Sequence, residues 1–156
     1  MWSDKMSSVT LHDEACRLTV EYERSQNRKA EYVSHRGVGY DIVGDRFIDV
    51  KTCTHRFETE DFRIFWGNLK KLVRKNGWIY CFIYDGGETK TFYEIPLAPL
   101  NPQIDQIEQE TDAILKKIEK TKTQNIQPRF EIRIKFSAQE KQGFKEISLD
   151  IAENRP

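Results

Sequence analysis

The chain has 156 residues, enough to bury one real core and too few for two full enzymatic domains. Its 25 Lys and Arg balance 25 Asp and Glu, so the formal net charge is zero and any nucleic-acid surface must be local. Mean hydropathy is -0.70 and charged residues reach 32%, yet 12% aromatic content argues against general disorder, and no stretch approaches the ~20 apolar residues of a membrane span.

The N-terminus has no apolar run of the signal-peptide kind, so an intracellular, cytoplasmic protein is expected. Cys16, Cys53 and Cys81 are odd in number and widely spaced, which suits neither a zinc site nor a disulfide framework; reduced, buried thiols are expected instead. Leu11, Ala15, Leu18 and Tyr22 recur at helical spacing over 9–24, with Ser7 or Ser8 as the cap. A short extended piece near Tyr32 and Val33 then leads through Gly37 and Gly39 to two strands, about 40–43 and 47–53, joined at Gly44-Asp45. Phe62, Ile64 and Phe65 suggest another strand, and Leu69, Leu72 and Val73 a short helix closed by Asn76-Gly77.

The run Trp78-Ile79-Tyr80-Cys81-Phe82-Ile83-Tyr84 is the most apolar in the chain and predicts a central strand buried on both faces. Asp85-Gly86-Gly87 turns it into a partner at 91–95, and Pro96, Pro99 and Pro102 mark a rigid connection. The last third predicts a helix over about 103–122, lined by Ile104, Ile107, Ile114, Leu115 and Ile118. Two alternating strands, Phe130 to Phe136 and Ile147 to Ile151, are then expected to pair as a hairpin. The isoleucine spacing approximates a heptad for two repeats, so a homodimer seam stands beside packing on the parent domain as a reading of this helix. The fold expected is α/β: a central mixed sheet flanked by helices in one domain over 1–156, with a core at about 8–97 and an extension at about 103–152.

Hairpin register follows from apolar residues alone. Ile42, Ile48 and Val50 share a buried face only if Ile42 lies opposite Ile48, which makes Gly44 to Arg46 a three-residue turn. Asp41 then faces Asp49, with Lys51 two residues further along the same side. A two-residue turn would instead send the aspartates to opposite faces. Facing carboxylates repel unless a cation neutralises them, and Asp41, Asp49 and the Val50 carbonyl could supply Mg²⁺ or Mn²⁺ with oxygen ligands. The same spacing also suits an exposed ion-pair cluster.

The run Val20-Glu21-Tyr22-Glu23-Arg24, then Val33-Ser34, Gly39-Tyr40-Asp41-Ile42 and Phe47-Ile48-Asp49-Val50-Lys51-Thr52 resembles the nuclease-related domain found at the C-terminus of many helicase-like and NO VEIN proteins. That family belongs to the PD-(D/E)XK superfamily, which includes Holliday-junction resolvases and many restriction endonucleases. The resemblance covers about residues 10–97. It implies a restriction-endonuclease-like fold, Mg²⁺-dependent DNA cleavage, Asp41 and Asp49 as metal ligands and Lys51 as the catalytic lysine. It also implies an acid on the first helix, for which Asp13, Glu14 and Glu21 compete and Glu14 is preferred. A helicase or other nucleic-acid-processing partner fits the same family context.

For DNA contact the sequence offers His35 and Arg36 before the glycines, His55 and Arg56 after the lysine strand, and Lys70, Lys71, Arg74 and Lys75 on the second helix. Lys116, Lys117, Lys120 and Lys122 read as the solvent face of the late helix. The competing functional class is a non-catalytic DNA-binding or protein-interaction module that keeps the nuclease fold.

Overall fold

A computed structural model of the chain describes residues 8–34, 39–54, 62–86, 88–120 and 131–149. Helix α1 (Ser8–Ser25) presents Leu11, Ala15, Cys16 and Tyr22 to the core, as the 3.6-residue spacing requires. It ends in a Schellman motif: Asn27 sits at φ 60°, its N–H bonds the Arg24 carbonyl, and the Arg28 N–H bonds that of Glu23. The same device closes α2 (Trp66–Arg74), where Asn76 at φ 53° lets Gly77 N–H reach the Leu72 carbonyl at 2.7 Å.

Six strands form the main sheet in the order β1 (Ala30–Tyr32), β2 (Ile42–Gly44), β3 (Ile48–Cys53), β5 (Trp78–Asp85), β6 (Glu88–Pro96) and β8 (Lys145–Ser148). Only β3 and β5 run parallel, so the sheet is mixed. Their crossover carries β4 (Phe62–Phe65) and α2. Gly44 crosses β1 so closely that a Cβ there would meet the Lys29 carbonyl oxygen at 1.9 Å, which excludes any larger residue. The described architecture is thus a mixed α/β arrangement with helices flanking the sheet.

Strand β5 is buried on both faces because each face meets its own core. Tyr80, Phe82 and Tyr84 join Ile42, Ile48, Val50 and Phe92 beneath α1. Ile79 and Cys81 join Leu69, Leu72, Val73 and Ile95 on the side of α2. Period-two alternation along one apolar strand therefore serves two separate cores. Cys16, Cys53 and Cys81 are all buried and in no disulfide, with the last two thiols 2.9 Å apart across β3 and β5.

Two expectations for the last third differ from the structure. β7 (Glu131–Ile134) and β8 do not pair with each other: β7 lies antiparallel on β4, matching Ile134 with Phe62 and Ile132 with Ile64, while β8 extends the main sheet along β6. The intervening segment is no hairpin loop either. It forms α4 (Ala138–Gln142), opened by a capping box in which Ser137 Oγ accepts from the Glu140 N–H and the Glu140 carboxylate accepts from the Ser137 N–H. A helical turn there separates the two strands and delivers each to an edge left open by an earlier one. Helix α3 (Asn101–Lys120) starts by burying Ile104, with Ile107 against the same α2-side core, so its beginning packs on the domain. The side chains of Ile114, Leu115, Ile118, Lys117 and Lys120, and residues Ser7, Phe130, Ile151 and Lys122, lie outside the described ones.

Candidate active site

Ile42 does lie opposite Ile48, and both are fully buried with Val50 beneath α1. That register places Asp41 next to Asp49, and the two carboxylates interact. Asp41 stands where β2 leaves the regular ladder: its N–H donates to the Ile48 carbonyl at 2.9 Å, and the Val50 N–H is left to its side chain. Oδ2 of Asp41 accepts that N–H at 2.7 Å, Oδ1 accepts the Ser34 hydroxyl, and Nε2 of His12 lies 3.4 Å from Oδ2. Approach to this corner is tight. Gly39, at φ 93°, packs so near Asn68 that a Cβ would sit 2.7 Å from its side-chain oxygen.

The two aspartates face opposite electrostatic conditions. Burial works to raise the pKa of Asp41, but hydrogen bonds from His12, Ser34 and the Val50 N–H hold it below the usual carboxylate range. Burial pushes Asp49 up to about 6, against the pull of Lys51 and with the help of the Asp41 charge. Lys51 Nζ lies 3.1 Å from Asp49 Oδ2, in a position that gives charge attraction without hydrogen-bond geometry. Asp49 Oδ2 is the one buried side-chain oxygen or nitrogen among the described residues that has no hydrogen bond. An ionised oxygen so placed has unsatisfied lone pairs directed at a site where a cation would be welcome. Lys51, with 28% of its side chain exposed, and His12, with 33%, open this buried pair to solvent.

The first-helix side chain that contacts Asp41 is His12, two residues before the Glu14 preferred from the sequence. Glu14 is rotated by about 200° from His12 around α1 and is engaged by the Tyr84 hydroxyl at 3.2 Å. Asp13 is exposed beside the Tyr32 hydroxyl, and Glu21 pairs with Arg17 at the surface. The helix residues that do reach Asp41 are His12 and Cys16, whose ligand atoms lie with a carboxylate oxygen of Asp41 within 4.8 Å of one another. Their i, i+4 spacing on the buried stripe was the available signal, but a His and a Cys on such a stripe also suit an ordinary core. Burial and then the Asp41 charge raise the Cys16 thiol pKa, and the bond to Asp41 raises that of His12 against the effect of burial. For Val50, the contact with the acidic pair is its N–H, where sequence reasoning had offered its carbonyl as a ligand.

The α2 cations are distributed differently from the phosphate-facing stripe expected. Arg74 pairs with Asp105 and Glu108 of α3, and Lys70 lies 3.8 Å from Glu108. Lys75 sits 4.7 Å over the Phe47 ring, while Lys71 is exposed. His35, Arg36, His55 and Arg56 lie outside the described residues. A surface groove of about 540 Å³ follows α1 and β1, lined by Asp13, Arg17, Val20, Glu21, Arg24 and Tyr32; Asp41, Asp49 and Lys51 do not line it.

A second polar cluster lies at the far end of α1. Glu23, fully buried, receives a bidentate pair from Arg28 and the Tyr80 hydroxyl at 2.9 Å. Arg46 then bonds Tyr80 Oη at 2.8 Å, approaches Glu94 at 3.3 Å and stacks on Trp78. Every member has a partner, so this cluster ties α1 to the sheet and offers no open ligand position. No described helix is long and apolar enough to cross a membrane. Comparison with protein-family models, curated proteins and solved structures finds no match to the chain.

Proposed function

We propose that the chain is a metal-dependent nuclease that hydrolyses DNA phosphodiester bonds, with a restriction-endonuclease-like fold and Asp41, Asp49 and Lys51 as its working residues. The observation that carries this reading is the buried Asp49 Oδ2, without a hydrogen bond, beside a second carboxylate and an amine. A purely structural ion pair would leave no reason to keep that oxygen unsatisfied at the cost of its desolvation. Asp41 and Asp49 would hold a divalent ion, Mg²⁺ by expectation, and the chemistry it supplies is acidification of water and charge stabilisation at phosphorus. Asp41, held by the Ser34 hydroxyl on Oδ1 and the Val50 N–H on Oδ2, fixes the position of one ligand oxygen. Lys51 brings a partly exposed ammonium to the rim, where it can contact the scissile phosphate or orient water.

Cleavage of linear, nicked and branched DNA with Mg²⁺ or Mn²⁺ tests the reading. Asp49→Ala and Lys51→Ala should each lower the rate by about 100-fold or more. Equal cleavage by all three proteins, or binding by wild type without any cutting, would refute it. A non-catalytic DNA-binding or interaction module is the second reading. Its protein-interaction form is favoured by the pairing of Arg74 and Lys70 with α3 acids, which leaves less free positive charge for holding DNA. On either reading, a helicase or other nucleic-acid-processing partner could present the DNA.

A further inference from the structure

We propose that His12 is a metal ligand and that it makes the centre selective for a first-row transition ion, Mn²⁺ or Co²⁺, over Mg²⁺. The inference rests on the metal-dependent reading above and concerns which ion the chain's own donors prefer. His12 Nε2 and Asp41 Oδ2 are 3.4 Å apart. With bonds of ~2.1 Å, that separation corresponds to an angle of about 108° at a shared ion, within reach of ordinary coordination. Asp49 supplies an independent indication, because its Oδ2 is buried, accepts no hydrogen bond and borders the same Asp41 carboxylate.

Ligand chemistry sets the preference. Mg²⁺ favours oxygen donors and retained waters, whereas an imidazole nitrogen adds affinity for first-row transition ions, rising from Mn²⁺ to Co²⁺. Cys16 lies one helical turn beyond His12, fully buried, with Sγ 3.7 Å from Nε2. Its polarisable sulfur limits where the imidazole can swing and adds a soft neighbour to the site. Helix α1 thus contributes a nitrogen where an acidic residue would have kept the donor set all-oxygen.

Binding of MnCl₂, CoCl₂ and MgCl₂ to the chelator-stripped full chain should be measured by calorimetry and thermal shift, with the visible ligand-field spectrum of Co²⁺ as an activity-independent readout. Wild type should bind Mn²⁺ and Co²⁺ about 10-fold or more tightly than Mg²⁺, and His12→Ala should weaken Mn²⁺ and Co²⁺ binding more than Mg²⁺ binding, removing that advantage. The Co²⁺ bands should shift or vanish in the variant. His12→Gln, which keeps a polar side chain of similar reach, should fall with His12→Ala, and circular dichroism confirms that both remain folded. Unchanged Mn²⁺ affinity and unchanged Co²⁺ bands in folded His12 variants would overturn the inference. If Asp49→Asn then still abolishes Mg²⁺ binding, the broader metal reading survives. Failure of wild type to bind any of the three ions would overturn both.

Discussion

Asp49→Asn should stabilise the metal-free protein at neutral pH, although it removes the acid placed at the centre of the site. Asp49 ionises near 6 in the fold, against 3.8 for an ordinary aspartate, because the buried carboxyl resists charging beside Asp41. A group with a raised folded pKa binds its proton more tightly when folded. Its contribution is fully present below about 3.8 and is lost as pH climbs through about 6, reaching a deficit of about 3 kcal/mol above that. Asparagine cannot ionise, so the variant should match wild type near pH 3.5 and exceed it by up to about 3 kcal/mol at pH 7.5. Denaturant unfolding in chelator, repeated across this range, measures the difference. Saturating divalent cation should then stabilise wild type far more than the variant. An Asp49→Asn protein equal to or weaker than wild type at pH 7.5 in chelator would refute the argument that this carboxylate is held charged at a cost.

Asp41→Asn should have the opposite sign: its folded pKa is lowered, so its stabilisation is present above 3.8 and fades as pH falls, and the variant should lose about 1–3 kcal/mol at pH 7 by the same unfolding assay. At the far cluster, Arg28→Ala strands the buried Glu23 charge and should cost about 3–5 kcal/mol, with Arg28→Lys recovering only part because the bidentate geometry is lost. Tyr80→Phe, which removes the hydroxyl joining Glu23 to Arg46, should cost about 1–3 kcal/mol in the same measurement. For DNA affinity, Arg74→Ala should leave the salt dependence of binding nearly unchanged, whereas the Asp105→Asn, Glu108→Gln double variant should release Arg74 and steepen it. Filter binding across a salt series checks both.

The register around Asp41 was legible because Ile42, Ile48 and Val50 leave one arrangement that buries all three, and burying apolar surface is the strongest constraint a short hairpin has. The run Trp78–Tyr84 was equally readable, since seven successive residues with almost no polar side chain suit a strand covered on both faces. Alternation in the last third identified strands but could not identify their partners. Ile132, Ile134 and Phe136 look the same whether they meet Ile147 or Phe62, and the choice depends on which edges the rest of the chain has left open. His12 and Cys16 were hidden for a related reason: their spacing is that of a buried helix face, and only the approach of Asp41 from a distant strand makes them part of a site.

Placing β7 on β4 and β8 on β6 also bears on how the chain is synthesised. The strand at 62–65 acquires its neighbour only after 131–134 has been made, and β6 acquires its outer neighbour only with 145–148. At ~5–20 residues per second, roughly 70 residues of translation leave β4 waiting for about 3–14 seconds. Throughout that interval the nascent chain carries the open edge of β4, flanked by Phe62 and Ile64, joined by that of β6 once residue 96 is made, the kind of surface that neighbouring chains recognise. A ribosome that stalls before residue 131 would therefore leave a chain whose residues around Asp41 are all present but whose two sheets are unfinished.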